Sequence, residues 1–398
     1  MTTKKILLLL WTMIALTVHA QQPRWVGTWA CAPQTVDKRY MPYNNNMSDR
    51  SVRQIVKVSI GGEAVRLQLS NVFSSQPVEI RSVYIAHSTD SFSIHRLSAR
   101  YLHFSGRRSV TIPAGQSVFS DELKFRLEPM ERVAITINYY RAPALPTVHM
   151  GSRTTSYIMR GLTTPATRFG KAFREDHWFN IAAIDVVHAE AASVAIIGNS
   201  ITDGKASTTN GQDRWPDIMS DVLNAPHRKA RPTGVLNLGI GNNRVLSVGL
   251  GEAARDRFDR DILAQRGVRD VVVFEGINDL GTTANPGETA RQLIAEYQKM
   301  IQKAHARGLR VFGGTIMPFR GCRGYYTEAR DAARRQVNDW IRTTGELDGV
   351  LDFDALMRDP SAPDQLRREW QCGDWLHPNP LGYRQMGEYA ARVLAADN

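Results

Sequence analysis

Four polar blocks, each at the end of an apolar run or in a late loop, carry the residue types that could do chemistry in this chain. The first reads Val194-Ala-Ile-Ile-Gly198-Asn199-Ser200-Ile201-Thr202-Asp203-Gly204. A serine hydroxyl placed there is a weak nucleophile until a base takes its proton. The last block, Gly373-Asp374-Trp375-Leu376-His377-Pro378-Asn379, supplies a histidine with an aspartate three residues before it. One loop can thus fix the imidazole tautomer and stabilise the imidazolium. Between them lie Asn237-Leu-Gly239-Ile-Gly241-Asn242-Asn243 and Phe274-Glu-Gly276-Ile277-Asn278-Asp279, sources of backbone and amide N–H groups for a developing oxyanion. Taken singly each block has a plainer reading. A serine after a strand often caps the next helix, as Thr202 or Asp203 could here, and Asn278 could be a turn asparagine.

Competing motifs fail on spacing. Five residues separate Gly198 from Gly204-Lys205, and Ala206 follows where a phosphate loop needs Ser or Thr. Gly249-Leu-Gly251-Glu-Ala-Ala254 resembles a dinucleotide fingerprint, but no apolar strand leads into it. Thr202 stands where the Gly-x-Ser-x-Gly elbow needs its second glycine.

The elements that must position these blocks fall into two textures. From Trp25 to about Val187 the pattern alternates with period two. Val65, Leu67 and Leu69 alternate with Arg66, Gln68 and Ser70, and Val133, Ile135 and Ile137 with Ala134, Thr136 and Asn138, which predicts half-buried strands. Gly61-Gly62 and Pro113-Ala-Gly115 predict tight hairpins. Many short strands with few helices indicate a β-sandwich, jelly-roll-like module. After about Ala191, apolar runs at 193–197, 235–238, 271–274, 309–312 and 350–351 alternate with helical periodicity at 288–306, 328–343 and 381–395. That alternation predicts an α/β domain with a parallel sheet covered on both faces, whose ligands bind at the carboxyl ends of the strands. The expected division is a leader over 1–20, a β-sandwich domain over 21–190 and the α/β domain over 191–398.

In this order and setting, the four blocks resemble the SGNH (GDSL-type) hydrolases over about 190–395. The resemblance implies a flavodoxin-like three-layer domain and a serine esterase with Ser200 as nucleophile, His377 as base and Asp374 as its partner. It implies an oxyanion hole built from the backbone N–H groups of Ser200 and Asn242 and the side-chain amide of Asn278, with Gly241 as the alternative to Asn242. Two departures stand out: Gly198-Asn199-Ser200 where the family commonly has Gly-Asp-Ser, and Asn242 where it has glycine. Asparagine tolerates the left-handed conformation better than most residues. A β-rich region beside such a domain resembles exported carbohydrate acetylesterases, so an acylated carbohydrate is the expected substrate and no cofactor or metal is expected. Trp370 and Trp375 could stack on sugar rings or belong to the core, and Arg320 and Arg323 could meet an acidic sugar or simply be solvated. Lipase or thioesterase activity on longer acyl chains, or a non-catalytic glycan-binding protein, are the alternatives.

Composition agrees with this frame. Lys4 and Lys5 precede a thirteen-residue apolar run, Ile6 to Val18, and Val18-His19-Ala20 precedes Gln21. This has the form of a cleavable export signal and is shorter than the ~20 residues of a membrane span. A secreted or periplasmic location follows, with no integral membrane segment once the signal is removed. The net charge of +11 comes from scattered residues without a basic run or a nucleic-acid motif, so no nucleic-acid partner is expected. Three cysteines, Cys31, Cys322 and Cys372, have no zinc-cluster spacing. A Cys322–Cys372 disulfide would brace the loop of Asp374, and two free thiols are the alternative. The oligomeric state is not legible.

Overall fold

A computed structural model describes residues 24–89, 91–228 and 230–396. The segment expected to be an export signal, residues 1–20, lies outside them. Among the described residues no helix is long and apolar enough to cross a membrane.

The N-terminal region is β-rich. Trp25–Ala30, Ile181–Val187, Gly62–Ser70 and Ser117–Phe119 form one antiparallel sheet with Leu123–Leu127. A seven-stranded antiparallel sheet is centred on Arg50–Lys57, Arg132–Arg141 and Val78–His87. One apolar core takes Val26, Leu67 and Ile184 from the first sheet and Val52, Val83 and Ile137 from the second.

Three local expectations are corrected here. Gly61-Gly62 is not a hairpin turn, because it links Arg50–Lys57 in one sheet to Gly62–Ser70 in the other. The glycines are needed for close approach: a Cβ on Gly61 would collide with the Leu127 carbonyl and one on Gly62 with Val186. The turn at 113–115 likewise joins strands of opposite sheets, since Val110–Ile112 pairs with Val78–His87 and Ser117–Phe119 with Gly62–Ser70. Residues 133–139 are buried on both faces rather than one. The 161–169 loop covers the polar face, where Thr163 N–H donates to Asn138 Oδ1 and Phe169 stacks on the Arg53 guanidinium. By contrast, Val65, Leu67 and Leu69 are buried while Arg66 and Gln68 are half-exposed, as the alternation predicts, although Ser70, expected on the polar face, is buried.

The changeover to parallel strands falls between Val187 and Ala192. Five parallel strands follow in the order Thr233–Gly239, Ala192–Gly198, Val268–Phe274, Arg310–Gly314, Gly349–Leu351. In chain order this is 2-1-3-4-5, the flavodoxin-type order. Ala192–Gly198 is buried at every position, as a central parallel strand must be. Trp215–Leu223, which periodicity did not reveal, packs on Pro380–Ala396, and Pro286–His305 packs on Glu328–Thr343. Right-handed crossovers running outward from the first strand in two directions put these pairs on opposite faces. The order reverses between Ala192–Gly198 and Val268–Phe274, so a crevice opens beyond their carboxyl ends.

The N-terminal region covers the edge strand Thr233–Gly239, an edge that would otherwise expose unpaired backbone groups. Ser193 Oγ donates to Gly27 O at 2.8 Å, Val235 N–H donates to Ser59 Oγ at 2.9 Å, and Gly27 N–H donates to Arg266 O at 2.9 Å. Lys57 is ion-paired with Asp221 across the same seam.

Candidate active site

Ser200 opens a single helical turn, Ser200–Asp203, directly beyond the first parallel strand. Asn199, not Thr202 or Asp203, is its cap: Asn199 Oδ1 accepts from Ile201 N–H at 3.0 Å. Ser200 Oγ lies 2.8 Å from His377 Nε2, and His377 Nδ1 lies 2.6 Å from Asp374 Oδ2. Asp374 Oδ1 also accepts the backbone N–H groups of Leu376 and His377, each at 2.9 Å. Partial burial opposes charge on Asp374, but the His377 hydrogen bond, these backbone donors and the imidazole together hold its carboxyl well below the usual range. The aspartate is therefore an acceptor throughout the neutral range and fixes the ring with Nε2 towards the serine.

The second and third blocks meet the first at the switch point. Gly276, with φ of 100°, turns the third strand into the helix Ile277–Thr282; a side chain there would strike the Tyr297 hydroxyl. Asn278 is buried. Its Nδ2 donates to Asn243 O at 2.7 Å and its Oδ1 accepts from the Tyr325 hydroxyl at 2.8 Å, so the amide orientation is fixed and one N–H remains for the cleft. This cross-block bonding is not that of a turn asparagine serving its own loop. Asn242 has φ of 54°, the left-handed conformation its residue type tolerates. Both Asn242 and Gly241 line the cleft. Asp279 accepts from Val245 and Leu246 N–H at 2.9 Å each and so ties the second block to the third.

Beneath these turns runs a buried polar layer that residue patterns did not disclose. Arg257, fully buried, donates to Gly198 O, Leu238 O, Asn243 Oδ1 and Asp261 and so links two strand ends. Glu275, also fully buried, accepts from Asn199 Nδ2 at 3.3 Å, which gives the Asn-for-Asp departure a physical sense: an aspartate at 199 would face a second carboxyl. Burial pushes the Glu275 carboxyl up to about 8, against the opposing pull of Arg257. The 3.9 Å separation from Arg257 has the form of an ion pair. Because that guanidinium is already committed to four other partners, burial prevails and Glu275 is neutral at pH 7.

A cleft of about 580 Å³ spans the seam, and Ser200, Asn278 and His377 line it together with Gln34, Met150 and Arg153 of the N-terminal region. His149 Nε2 donates to Asp203 Oδ1 (2.9 Å) while its Nδ1 contacts Ala32 O (2.9 Å), and Arg153 Nη2 donates to Asp203 Oδ2 at 3.1 Å. Asp203 is fully buried; burial raises its carboxyl, but His149 and Arg153 bring it below the ordinary value. The N-terminal region thus clamps the serine turn, a role no sequence pattern marked.

Trp370, Trp375, Arg320 and Arg323, for each of which the sequence left two readings, are not among the described residues that line the cleft. Trp375 packs over Gly321, and Trp370 packs against the apolar core beneath the Arg367 guanidinium. Arg320 pairs with Asp364 at 3.1 Å and Arg323 is exposed outside the cleft lining. Cys31, Cys322 and Cys372 are all free thiols, so the Cys322–Cys372 bridge is not formed. Among the described residues, Cys372, Asp374 and His377 bring possible metal-ligand atoms within 4.8 Å of one another. An ion there would have to displace the hydrogen bond that orients His377.

Residues 196–385 match the GDSL-like lipase/acylhydrolase family. Among solved structures, a protein assigned to the G-D-S-L lipolytic family from Desulfitobacterium hafniense is 21% identical, with 51% of this chain and 99% of that one covered at a TM-score of 0.40. A lipase/acylhydrolase from Enterococcus faecalis is 19% identical, covering 50% and 94% at 0.38. A carbohydrate acetylesterase from Sinorhizobium meliloti is 13% identical, covering 52% and 100% at 0.39. No functionally curated protein matches the sequence.

Proposed function

Residues 196–385 are a domain of the GDSL-like lipase/acylhydrolase family, and from that premise we propose an exported serine esterase that removes acyl groups, acetyl foremost, from a carbohydrate. The observation that carries the reading is the chain of contacts from Ser200 Oγ through His377 to Asp374, at 2.8 and 2.6 Å, on the wall of the cleft.

In the proposed reaction His377 Nε2 takes the Ser200 proton as Oγ attacks the ester carbonyl carbon. The carbonyl oxygen becomes an oxyanion held by the backbone N–H groups of Ser200 and Asn242 and by Asn278 Nδ2. Collapse breaks the bond to the alcohol oxygen, which leaves with the proton from His377. A water molecule, deprotonated by the same imidazole, then attacks the acyl carbon; the bond to Ser200 Oγ breaks as His377 returns that proton to the serine oxygen, and the carboxylic acid is released. Asp374 keeps the ring oriented and balances its transient charge. No step requires a metal or an organic cofactor.

The polar N-terminal wall of the cleft, Gln34, Arg153 and His177, suits a hydroxyl-rich alcohol part, and the two packed antiparallel sheets behind it are assigned to a jelly-roll-like sandwich. A second reading, hydrolysis of longer acyl chains, draws on Val248 and Leu250, exposed apolar side chains on the loop beside the cleft. Aryl esters from acetate to octanoate, assayed with wild type and Ser200→Ala beside acetate release from acetylated polysaccharide, separate the readings. Acetate preference, release from the glycan and a loss in the variant of roughly a million-fold are expected. Preference for octanoate would replace the carbohydrate reading, and unchanged turnover in Ser200→Ala would end the serine mechanism.

A further inference from the structure

The proposed hydrolysis leaves the cations of the cleft unused. Arg153 reaches the cleft from the N-terminal region in a left-handed backbone conformation, φ 51°, that a long side chain seldom adopts. The segment is pressed onto the serine turn, since a Cβ on Gly151 would overlap the Asp203 carboxylate. Of the five N–H donors of a guanidinium, Arg153 gives one to a partner among the described residues, Nη2 to Asp203 Oδ2. Its side chain remains 28% exposed on the cleft wall beside Ser200. Lys205, two residues beyond Asp203, is an exposed lining residue, and its ammonium has no hydrogen-bond or ion-pair partner among the described residues. Among the described residues, Asp203 supplies the sole carboxylate of the lining. It is fully buried and already shared between His149 and Arg153. The cleft thus offers two cationic groups and no free carboxylate to oppose them, and low-dielectric walls focus such a field on an incoming anion.

We propose that Arg153 and Lys205 form a carboxylate-binding subsite next to Ser200, so that the substrate is an ester carrying a carboxylate close to the scissile bond, as an acylated uronic acid does. A guanidinium with unused planar donors matches a carboxylate geometrically, and an ammonium adds charge without directional demand. The substrate class rests on the esterase reading; the anion site itself is testable without turnover.

The test is calorimetric titration of the Ser200→Ala protein with digalacturonate and with its neutral counterpart, galactobiose. Tighter binding of the uronate by at least about ten-fold is expected, weakening as salt screens the cations. Adding Arg153→Gln should abolish most of that preference, Lys205→Gln should reduce it, and Arg153→Lys should retain part. Equal binding of the two sugars, no binding of the uronate, or an undiminished preference in Arg153→Gln would overturn the proposal and leave Arg153 as a counter-ion for Asp203. Lys205→Gln, which leaves the Asp203 cluster intact, decides the matter if Arg153→Gln melts early. Absence of ester hydrolysis by wild type would sink the esterase reading alone, because the titration still reports on the subsite.

Discussion

Replacing Glu275 with glutamine tests whether the layer beneath the serine turn holds a neutral acid. The carboxyl is fully buried and titrates at about 8, against an ordinary 4.5. Between those values the unfolded chain has released the proton that the native state keeps, so stability falls as pH rises, with a slope of about 1.4 kcal/mol per pH unit. Over the full interval of about 3.5 units the loss is about 5 kcal/mol. It is absent below pH 4.5 and complete once pH has passed the folded-state value. Glutamine has the same shape and cannot ionise, so Glu275→Gln should match wild type in acid and exceed it increasingly above pH 5. Chemical denaturation of both proteins across pH 4.5 to 9 reads this out, because titrations elsewhere in the molecule cancel in the difference. Parallel stability curves would refute the reasoning. They would mean that Glu275 is ionised in the native state and that Arg257 neutralises it despite its other bonds.

Asn278→Ala should lower kcat for an aryl acetate by ~100- to 1000-fold with little change in KM, since the amide serves charge that exists only in the transition state; a rise in KM at constant kcat would instead make Asn278 a substrate contact. His149→Ala leaves one oxygen of buried Asp203 without its partner and should cost about 3 kcal/mol in denaturation. Its activity should fall as well, because Asp203 closes the serine turn; full activity and stability would show that the clamp is dispensable.

What was legible in the sequence follows from how locally each feature is determined. Continuous apolar runs such as 193–197 and 271–274 report burial on both faces of a parallel strand, and they lie in the strands Ala192–Gly198 and Val268–Phe274. Asp374 and His377 share one loop, so their pairing needs only three residues of chain. The turns at Gly61-Gly62 and at 113–115 misled because turn chemistry specifies a reversal of direction and says nothing about which sheet receives the next strand. Residues 133–139 misled because the cover on their polar face comes from a later loop, with Thr163 lying 25 residues beyond Asn138. His149 and Arg153 lay outside reach altogether, as their partner Asp203 is 54 and 50 residues distant and a left-handed arginine leaves no trace in composition. Arg257 is hidden for a similar reason. Nothing but tertiary packing distinguishes a buried arginine linking strand ends from a solvated one.

The clamp on Asp203 also has a meaning in time. A chain made from its amino end can complete both antiparallel sheets once Val187 has emerged, before any strand of the parallel sheet exists. His149 and Arg153 then stand ready as a mould into which the turn of Ser200 sets on arrival. The imidazole comes 177 residues after that serine, in the loop before Pro380–Ala396. Synthesis therefore keeps the nucleophile without its base until another 177 residues have been made.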